Sequence, residues 1–181
     1  MRIIGGELRG RIFSPGKNFK ARPTTDFARE NLFNILSNRI EFEETKVLDL
    51  FAGTGSISFE FASRGCKSVT SVELDHVHYA FIASVIRQLK VENVVHLLRY
   101  DVHKFIPKCT EKFDLIFADP PYQMTTLKDI PDLILNHQLI NRDGLLILEH
   151  GRNDNFNSHP NLVEQRIYGS VHFSFFKPAS G

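Results

Sequence analysis

The segment VLDLFAGTGSISFE, residues 47–60, determines the fold that we predict for this chain. Its first half is a short apolar run that reads as a buried β-strand, and Gly53 closes it. Its second half opens the stretch SISFEFASRG, which reads as a helix ended by Gly65. A strand, a glycine turn and a helix begin a βαβ unit, so the next strand is expected to run parallel to the first.

The same alternation continues toward the C terminus. Strand-like runs occupy residues 68–74, 94–101, 113–119 and 144–150, and helix-like stretches at 76–91, 102–109 and 130–140 separate them. The last segment, residues 162–176, has two strand-like runs around Tyr168-Gly169-Ser170, and so short a turn requires an antiparallel pair. We therefore predict an α/β fold: a doubly wound, mostly parallel seven-stranded sheet of the Rossmann-like type, with an antiparallel C-terminal hairpin.

Two segments precede this sheet domain. Residues 1–22 alternate short apolar pairs with glycine and basic residues, which predicts a small N-terminal hairpin or irregular arm, and residues 23–181 form the remaining domain. The stretch at 22–40, RPTTDFARENLFNILSNRI, predicts a helix with Thr25 or Asp26 as its N-cap. The predicted apolar face of this helix consists of Phe27, Leu32, Phe33, Ile35 and Leu36.

Charge is distributed unevenly along the chain. The 181 residues carry a net charge of only +1, and the 42% hydrophobic and 24% charged residues are ordinary globular values. Residues 1–25 contain one acid, Glu7, and six basic residues: Arg2, Arg9, Arg11, Lys17, Lys20 and Arg22. A basic arm on a mildly acidic body is typical of a contact with nucleic acid or another polyanion, although short basic termini also occur on proteins without such a partner.

Several protein classes are disfavoured by composition. The two cysteines, Cys66 and Cys109, form no CxxC motif, which argues against a disulfide scaffold or a structural zinc site. None of the eight histidines has convincing ligand spacing, so we predict no metal. No apolar run approaches the roughly 18 residues of a membrane span. We therefore expect a soluble, cytoplasmic monomer.

A nucleoside cofactor site is predicted at the end of the first strand. Gly53 and Gly55 lack side chains there, which would let backbone amides approach a ligand, although a lone G-x-G fits a tight turn equally well. Asp49 lies inside the strand, where a buried carboxylate needs a partner and where a pyrophosphate would be repelled. S-adenosylmethionine carries no phosphate and has a cationic amino group and sulfonium, so Asp49 favours it over NAD. Ser58 also replaces the third glycine of the dinucleotide motif.

Acids at the next two strand ends extend this site. Glu73 ends the second strand, where a carboxylate accepts hydrogen bonds from ribose hydroxyls, and Asp101 ends the third, where it could hold the adenine amino group beside Val102. The predicted cofactor contacts are Asp49, Phe51, Gly53, Gly55, Glu73, Leu74, Asp101 and Val102.

The run FADPPY, residues 117–122, predicts the reaction centre beside that cofactor. An exocyclic amine of a nucleobase is a poor nucleophile because its lone pair is delocalised into the ring. Asp119 and the Pro120 carbonyl could accept both amine hydrogens, and Tyr122 could stack on the base. Our predicted catalytic set is Asp119, Pro120, Pro121 and Tyr122; the alternative is a strand that simply ends at prolines beside a buried tyrosine. Glu149-His150 ends the fifth strand, where Glu149 either contacts substrate or is an ordinary polar strand end.

These motifs resemble those of the class I S-adenosylmethionine-dependent methyltransferases that methylate amino groups. With the arm MRIIGGELRGR, the segment RPTTDFARENLFNIL, LEHG and YGSVHFSFF, the chain resembles the RsmD-like 16S ribosomal RNA guanine-N2 methyltransferases from Met1 to Phe176. The resemblance implies methyl transfer to N2 of a guanine, guanine(966) in the family name, with S-adenosylhomocysteine as product. It implies 16S ribosomal RNA or the small ribosomal subunit as partner.

The resemblance leaves two other functions open. The D-P-P-Y motif alone also admits a DNA adenine methyltransferase, and the same fold could serve a non-catalytic RNA-binding assembly factor. Because guanine N2 lies on a pairing edge, the target base has to be unpaired or swung out. We expect the six basic residues to bind the flanking phosphates, with Arg22 either doing so or lying near the active site.

Overall fold

The computed structural model describes residues 1–16 and 25–179 and contains one seven-stranded sheet in the order β3-β2-β1-β4-β5-β7-β6. The strands are β1 (Lys46–Leu50), β2 (Ser68–Glu73), β3 (Val95–Arg99), β4 (Phe113–Ala118), β5 (Ile140–His150), β6 (Leu162–Tyr168) and β7 (Val171–Phe176). The helices are α1 (Asp26–Leu36), α2 (Ser56–Ser63), α3 (His76–Leu89), α4 (Val102–Phe105) and α5 (Ile130–Asn136). No helix in this described part is both long and apolar enough to cross a membrane.

The predicted fold class is confirmed by the strand pairing. Strands β3, β2, β1, β4 and β5 are parallel, while β7 pairs antiparallel with both β5 and β6. The strand order reverses between β1 and β4, which is where open α/β sheets bind their ligands. Strand β5 begins at Ile140, four residues earlier than the predicted 144, and the preceding helix ends at Asn136 instead of 140.

Helices cover both faces of the sheet because alternate strand residues point to opposite sides. Val47 of β1 belongs to a core formed with apolar residues of α1, α2 and α3, whereas its neighbour Leu48 belongs to a second core with residues of α4 and α5. The short α4 continues into a 3-10 turn at Ile106–Lys108, so the predicted helix at 102–109 is split into two pieces.

Helix α1 buries most of the face predicted for it, with Phe27 as the exception. Thr25 is its N-cap, as expected, and accepts a hydrogen bond from the Ala28 amide at 3.2 Å. The buried positions are Ala28, Arg29, Leu32, Phe33 and Leu36. Phe27 is 64% exposed, so its assignment to the apolar face was wrong. The i, i+4 spacing of residues 28, 32 and 36 defines the buried stripe, and residue 27 lies one position off it.

The N-terminal residues form a small hairpin that is part of the folded body. Arg2 pairs antiparallel with Ile12, and the Ile3 amide donates to the Arg11 carbonyl at 3.0 Å. Ile3 is only 1% exposed and belongs to the first core. The hairpin is attached to α2 through Glu60, a fully buried carboxylate that accepts hydrogen bonds from the amides of Ile4 and Gly5.

Glu60 is neutralised by two arginines. Arg64 forms an ion pair with one carboxylate oxygen, and Arg29 approaches the other at 3.7 Å. The Arg29 guanidinium, only 1% exposed, also donates to the Arg2 carbonyl and to Asp26, each at 2.7 Å. Burial lowers the pKa of Arg29, while Glu60 and Asp26 act against that shift. A buried charge needs such partners, so this network fixes the hairpin to α1 and α2.

Candidate active site

A cavity of about 680 Å³ opens at the carboxyl ends of β1, β2, β4 and β5, where the strand order reverses. It brings together eleven of the twelve residues predicted for cofactor binding and catalysis. These are Asp49, Phe51, Gly53, Glu73, Leu74, Asp101, Val102, Asp119, Pro120, Pro121 and Tyr122. Gly55 is the exception, because it does not line the cavity.

Asp49 is the buried acid of this cavity, with 1% of its surface exposed. Its Oδ2 accepts hydrogen bonds from the amide and the hydroxyl of Ser58, and that hydroxyl also lies 2.6 Å from the hydroxyl of Ser71. Burial raises the pKa of Asp49 from 3.8 to about 7, the Ser58 bonds oppose this rise, and the charge of Glu73 adds to it. Ser58, which replaces a dinucleotide-motif glycine, therefore holds the carboxylate in place.

The loop after β1 is preorganised by its backbone. Phe51, Gly53 and Gly55 have φ angles of +62°, +56° and +73°. Residues other than glycine rarely adopt this left-handed backbone conformation. The Gly53 amide donates to Glu73 Oε2 at 2.7 Å, and the Gly55 amide donates to the Ala52 carbonyl at 2.7 Å. The two amides that we expected to approach a ligand are thus engaged within the chain.

Gly55 has a packing role instead of a lining role. A Cβ atom at this position would lie 2.7 Å from the Phe59 ring and 3.2 Å from Ile82. Both the left-handed φ angle and this close approach require glycine, which lets α2 begin directly behind the loop.

Glu73 and Asp101 serve the backbone as well as the cavity. Glu73 Oε1 accepts from the Asp75 amide at 2.8 Å, so its two oxygens connect the loop after β1 to the turn after β2. Asp101 caps α4, with Oδ1 accepting from the Lys104 amide at 3.1 Å. A carboxylate offers about four lone-pair sites, so each acid keeps acceptor capacity for hydroxyl or amino groups of a ligand.

The segment 119–122 also lines the cavity. The Asp119 amide donates to the Leu50 carbonyl at 3.3 Å, which keeps this segment beside β1, and the Pro121 carbonyl accepts from Met124 at 2.8 Å. Burial, followed by the charges of Glu149 and Asp49, raises the pKa of Asp119 well above its ordinary value. Tyr122 is 41% exposed, whereas our alternative assumed a buried tyrosine.

The cavity is strongly acidic. Six of its lining residues are carboxylates: Asp49, Glu73, Asp75, Asp101, Asp119 and Glu149. Among the described residues that line it there is no lysine or arginine, and only His78 and His103 could add positive charge. An anionic dinucleotide would be repelled here, whereas the ammonium and sulfonium of S-adenosylmethionine fit this set of donors and charges.

Several lining residues were not predicted. Thr54 and Ser56 lie in the glycine loop and Asp75 follows Glu73, so their proximity to predicted residues was the available signal. Thr25 is the N-cap of α1 and Val171 begins β7, and nothing in their local sequence indicates the cavity.

The pair Glu149-His150 separates into two roles. Glu149 lines the cavity, whereas His150 is fully buried with Nε2 2.8 Å from the Ser174 hydroxyl and Nδ1 2.9 Å from the Gly151 carbonyl. Burial lowers the pKa of His150. No group of three His, Cys, Asp or Glu side chains that could hold a metal ion is found in residues 1–16 and 25–179.

Of the residues predicted to bind RNA, the three that the structure describes, Arg2, Arg9 and Arg11, do not line the cavity. Arg9 and Arg11 are exposed on the N-terminal hairpin, and Arg2 forms an ion pair with Asp26 at 3.1 Å. Lys17, Lys20 and Arg22 lie outside the described residues.

The Rossmann-like sheet, the acidic cavity at its reversal point and relatives named as methyltransferases together support an S-adenosylmethionine-dependent methyltransferase. A family model described as "Conserved hypothetical protein 95" matches residues 1–177, and the chain belongs to this family of RsmD-like methyltransferases.

Similar proteins span nearly the whole chain. The Ribosomal RNA small subunit methyltransferase D of Buchnera aphidicola subsp. Baizongia pistaciae is 28% identical over 97% of this chain and 91% of its own length. The protein of the same name from Escherichia coli is 27% identical over 98% of this chain and 89% of its own length. A hypothetical protein of solved structure from Thermus thermophilus superposes with a TM-score of 0.86, is 28% identical, and covers 98% and 99% of the two chains.

Proposed function

We propose that this chain transfers a methyl group from S-adenosylmethionine to the exocyclic N2 of a guanine in small-subunit ribosomal RNA, guanine(966) of the 16S RNA. The observation that carries this proposal is that the Asp119–Tyr122 segment and the acids Asp49 and Glu73 line one cavity. The small-subunit RNA is supported by the names of the relatives in Buchnera and Escherichia coli.

The protein's own groups suit each part of the reaction. S-adenosylmethionine supplies a methyl group on a cationic sulfur and leaves as S-adenosylhomocysteine. Asp49 and Glu73 hold its ammonium and ribose, while the Asp119 carboxylate and the Pro120 carbonyl accept the two hydrogens of the base amine. This geometry turns the amine lone pair out of the ring plane, toward the methyl carbon. The partly exposed Tyr122 ring offers a stacking surface worth about 1–3 kcal/mol.

The basic hairpin supports an RNA substrate. Arg9 and Arg11 are exposed on a hairpin that Glu60 and Arg29 attach to the body, so phosphates bound there would be held at a fixed position relative to the cavity. We place the reaction in the cytoplasm, on 16S ribosomal RNA or a small-subunit particle, with the enzyme acting as a monomer.

Two alternative functions would use this structure differently. A DNA adenine-N6 methyltransferase would use the same D-P-P-Y geometry on a different base. A non-catalytic assembly factor would have no need for the buried, costly carboxylate of Asp49, or for the half-buried Asp119 with its raised pKa.

The test is methyl transfer from labelled S-adenosylmethionine to three acceptors: small-subunit particles from cells lacking the protein, naked 16S RNA, and duplex DNA. We expect labelling of RNA, and Asp119→Ala should abolish it while S-adenosylhomocysteine binding stays within about threefold of the wild type. Asp143→Ala removes an exposed carboxylate near the start of β5 and should retain activity. Labelling of DNA but not RNA, or full activity of Asp119→Ala, would refute the proposal.

A further inference from the structure

Glu149 lies level with Asp119 in the sheet. Strands β4 and β5 are parallel, with Ala118 opposite Leu148, so Asp119 and Glu149 are the next residues on two adjacent strands. Neighbouring strands are about 4.8 Å apart. Glu149 is 2% exposed, it lines the cavity, and its charge contributes to the raised pKa of Asp119. The cavity therefore holds two carboxylates side by side at the place proposed for the base.

The position of Glu149 is rigid. Strand β5 is bordered by β4 on one side and by β7 on the other, where Glu149 pairs with the buried Phe173. A carboxylate in the middle of a sheet, next to a second acid, carries a desolvation cost that an apolar residue would avoid. Since a carboxylate has about four acceptor sites, contacts within the protein leave Glu149 able to accept another hydrogen bond.

The two candidate bases differ at the atom next to their amine. In guanine the ring nitrogen N1, adjacent to the N2 amine, carries a hydrogen, so this edge presents three hydrogens in a row. In adenine the N1 atom adjacent to the N6 amine carries a lone pair. Asp119 and the Pro120 carbonyl account for the two amine hydrogens, which leaves the guanine N1 hydrogen without an acceptor.

We propose that Glu149 supplies this acceptor and thereby makes the site select guanine over adenine; this inference rests on the proposed function. With adenine, the Glu149 carboxylate would face the N1 lone pair and would repel it. Glu149 is thus a specificity residue that contacts the substrate base.

The experiment changes the base and the residue together. One acceptor RNA carries guanine at the methylated position and a second carries 2-aminopurine, which keeps the N2 amine but has a lone pair at N1. Each is methylated by the wild type, by Glu149→Gln and by Glu92→Gln, an identical change at an exposed position. The measured quantity is kcat/KM for each RNA, with S-adenosylhomocysteine affinity and thermal unfolding as checks on the fold.

We expect the wild type to prefer guanine by about tenfold or more. In Glu149→Gln the amide can donate to N1 of 2-aminopurine, so the guanine preference should fall at least about tenfold or reverse, with cofactor affinity unchanged. Glu149→Asp keeps the carboxylate and should retain the preference at a lower rate. Glu92→Gln should match the wild type.

Two results would overturn the inference while leaving the proposed function intact. One is a Glu149→Gln variant that loses activity equally on both RNAs, since that pattern indicates only a structural role. The other is a wild type that methylates both RNAs equally well. A wild type that methylates neither RNA would refute the proposed function, and this inference with it.

Discussion

Replacing Asp49 with Asn should stabilise the empty protein and weaken cofactor binding at the same time. Burial raises the pKa of Asp49 from 3.8 to about 7. At about 1.36 kcal/mol for each pKa unit, keeping this group ionised in the folded protein costs about 4 kcal/mol. Asn carries no charge and can still accept a hydrogen bond from Ser58, so the variant avoids most of this cost.

The pH dependence of the free energy of unfolding follows from the protons that Asp49 binds in the folded and unfolded states. Between pH 3.8 and about 7, folded Asp49 holds a proton that the unfolded chain has released, so its contribution to stability falls as pH rises. Above about pH 7, Asp49 is ionised in both the folded and the unfolded chain, and its contribution to the free energy of unfolding no longer changes with pH. Asp49→Asn should therefore be more stable than the wild type at pH 8, by up to about 4 kcal/mol, and the difference should shrink toward pH 4.

Cofactor affinity should change in the opposite direction. If the ionised Asp49 carboxylate pairs with the cofactor ammonium, wild-type affinity should rise about 15-fold between pH 5.5 and pH 7.0, as the ionised fraction grows. In Asp49→Asn this dependence should disappear and affinity at pH 7 should drop about 10- to 100-fold.

Urea unfolding at pH 5 and pH 8 measures the stability difference, and calorimetric titration with S-adenosylhomocysteine from pH 5.5 to 7.0 measures affinity. Asp143→Asn, an exposed acid near the start of β5, is the matched control and should leave both quantities unchanged. Wild-type affinity and pH dependence in Asp49→Asn would show that Asp49 does not hold the cofactor cation.

Three further predictions concern RNA binding and the hairpin. Arg9→Glu combined with Arg11→Glu should weaken RNA binding and reduce the slope of log affinity against log salt by about 1–2, measured by filter binding. Tyr122→Ala should lower kcat/KM for RNA about 5- to 150-fold through lost stacking, whereas Tyr122→Phe keeps the ring and should stay near the wild type. Glu60→Gln should destabilise the protein by up to about 3–5 kcal/mol in urea unfolding, because Arg64 loses its buried anionic partner and Arg29 keeps only Asp26.

Each of these three predictions would be contradicted by a specific experimental result. An unchanged salt slope would remove the hairpin from the RNA interface, and an equal effect from Lys112→Glu with Arg142→Glu, two exposed cations elsewhere, would make the effect nonspecific. Equal losses in Tyr122→Ala and Tyr122→Phe would assign the effect to the hydroxyl instead of the ring. A Glu60→Gln variant of wild-type stability would show that the ion network does not fix the hairpin.

The sequence predicted the elements that depend on local pattern. Apolar runs ended by acids or glycines located β1, β2 and β4, and the short turn at Gly169 predicted the antiparallel hairpin. Acids at successive strand ends predicted the cavity because parallel strands bring their carboxyl ends to one edge of the sheet.

What the sequence did not predict depends on long-range contacts. Phe27 looked apolar and therefore buried, but the contact face of α1 is set by its packing on α2. Ser58 read as a lost glycine, and its role as donor to Asp49 appears only when α2 folds against β1. The attachment of the N-terminal hairpin to Glu60 joins residues more than fifty positions apart, so no local signal could reveal it.

The central claim is tested most directly by identifying the methylated nucleoside. Small-subunit particles from cells lacking the protein are incubated with the purified chain and S-adenosylmethionine, and the digested RNA is analysed by mass spectrometry. We expect N2-methylguanosine at one position, absent when Asp119→Ala replaces the wild type. N6-methyladenosine, or no new methylated nucleoside in either particles or naked RNA, would contradict it.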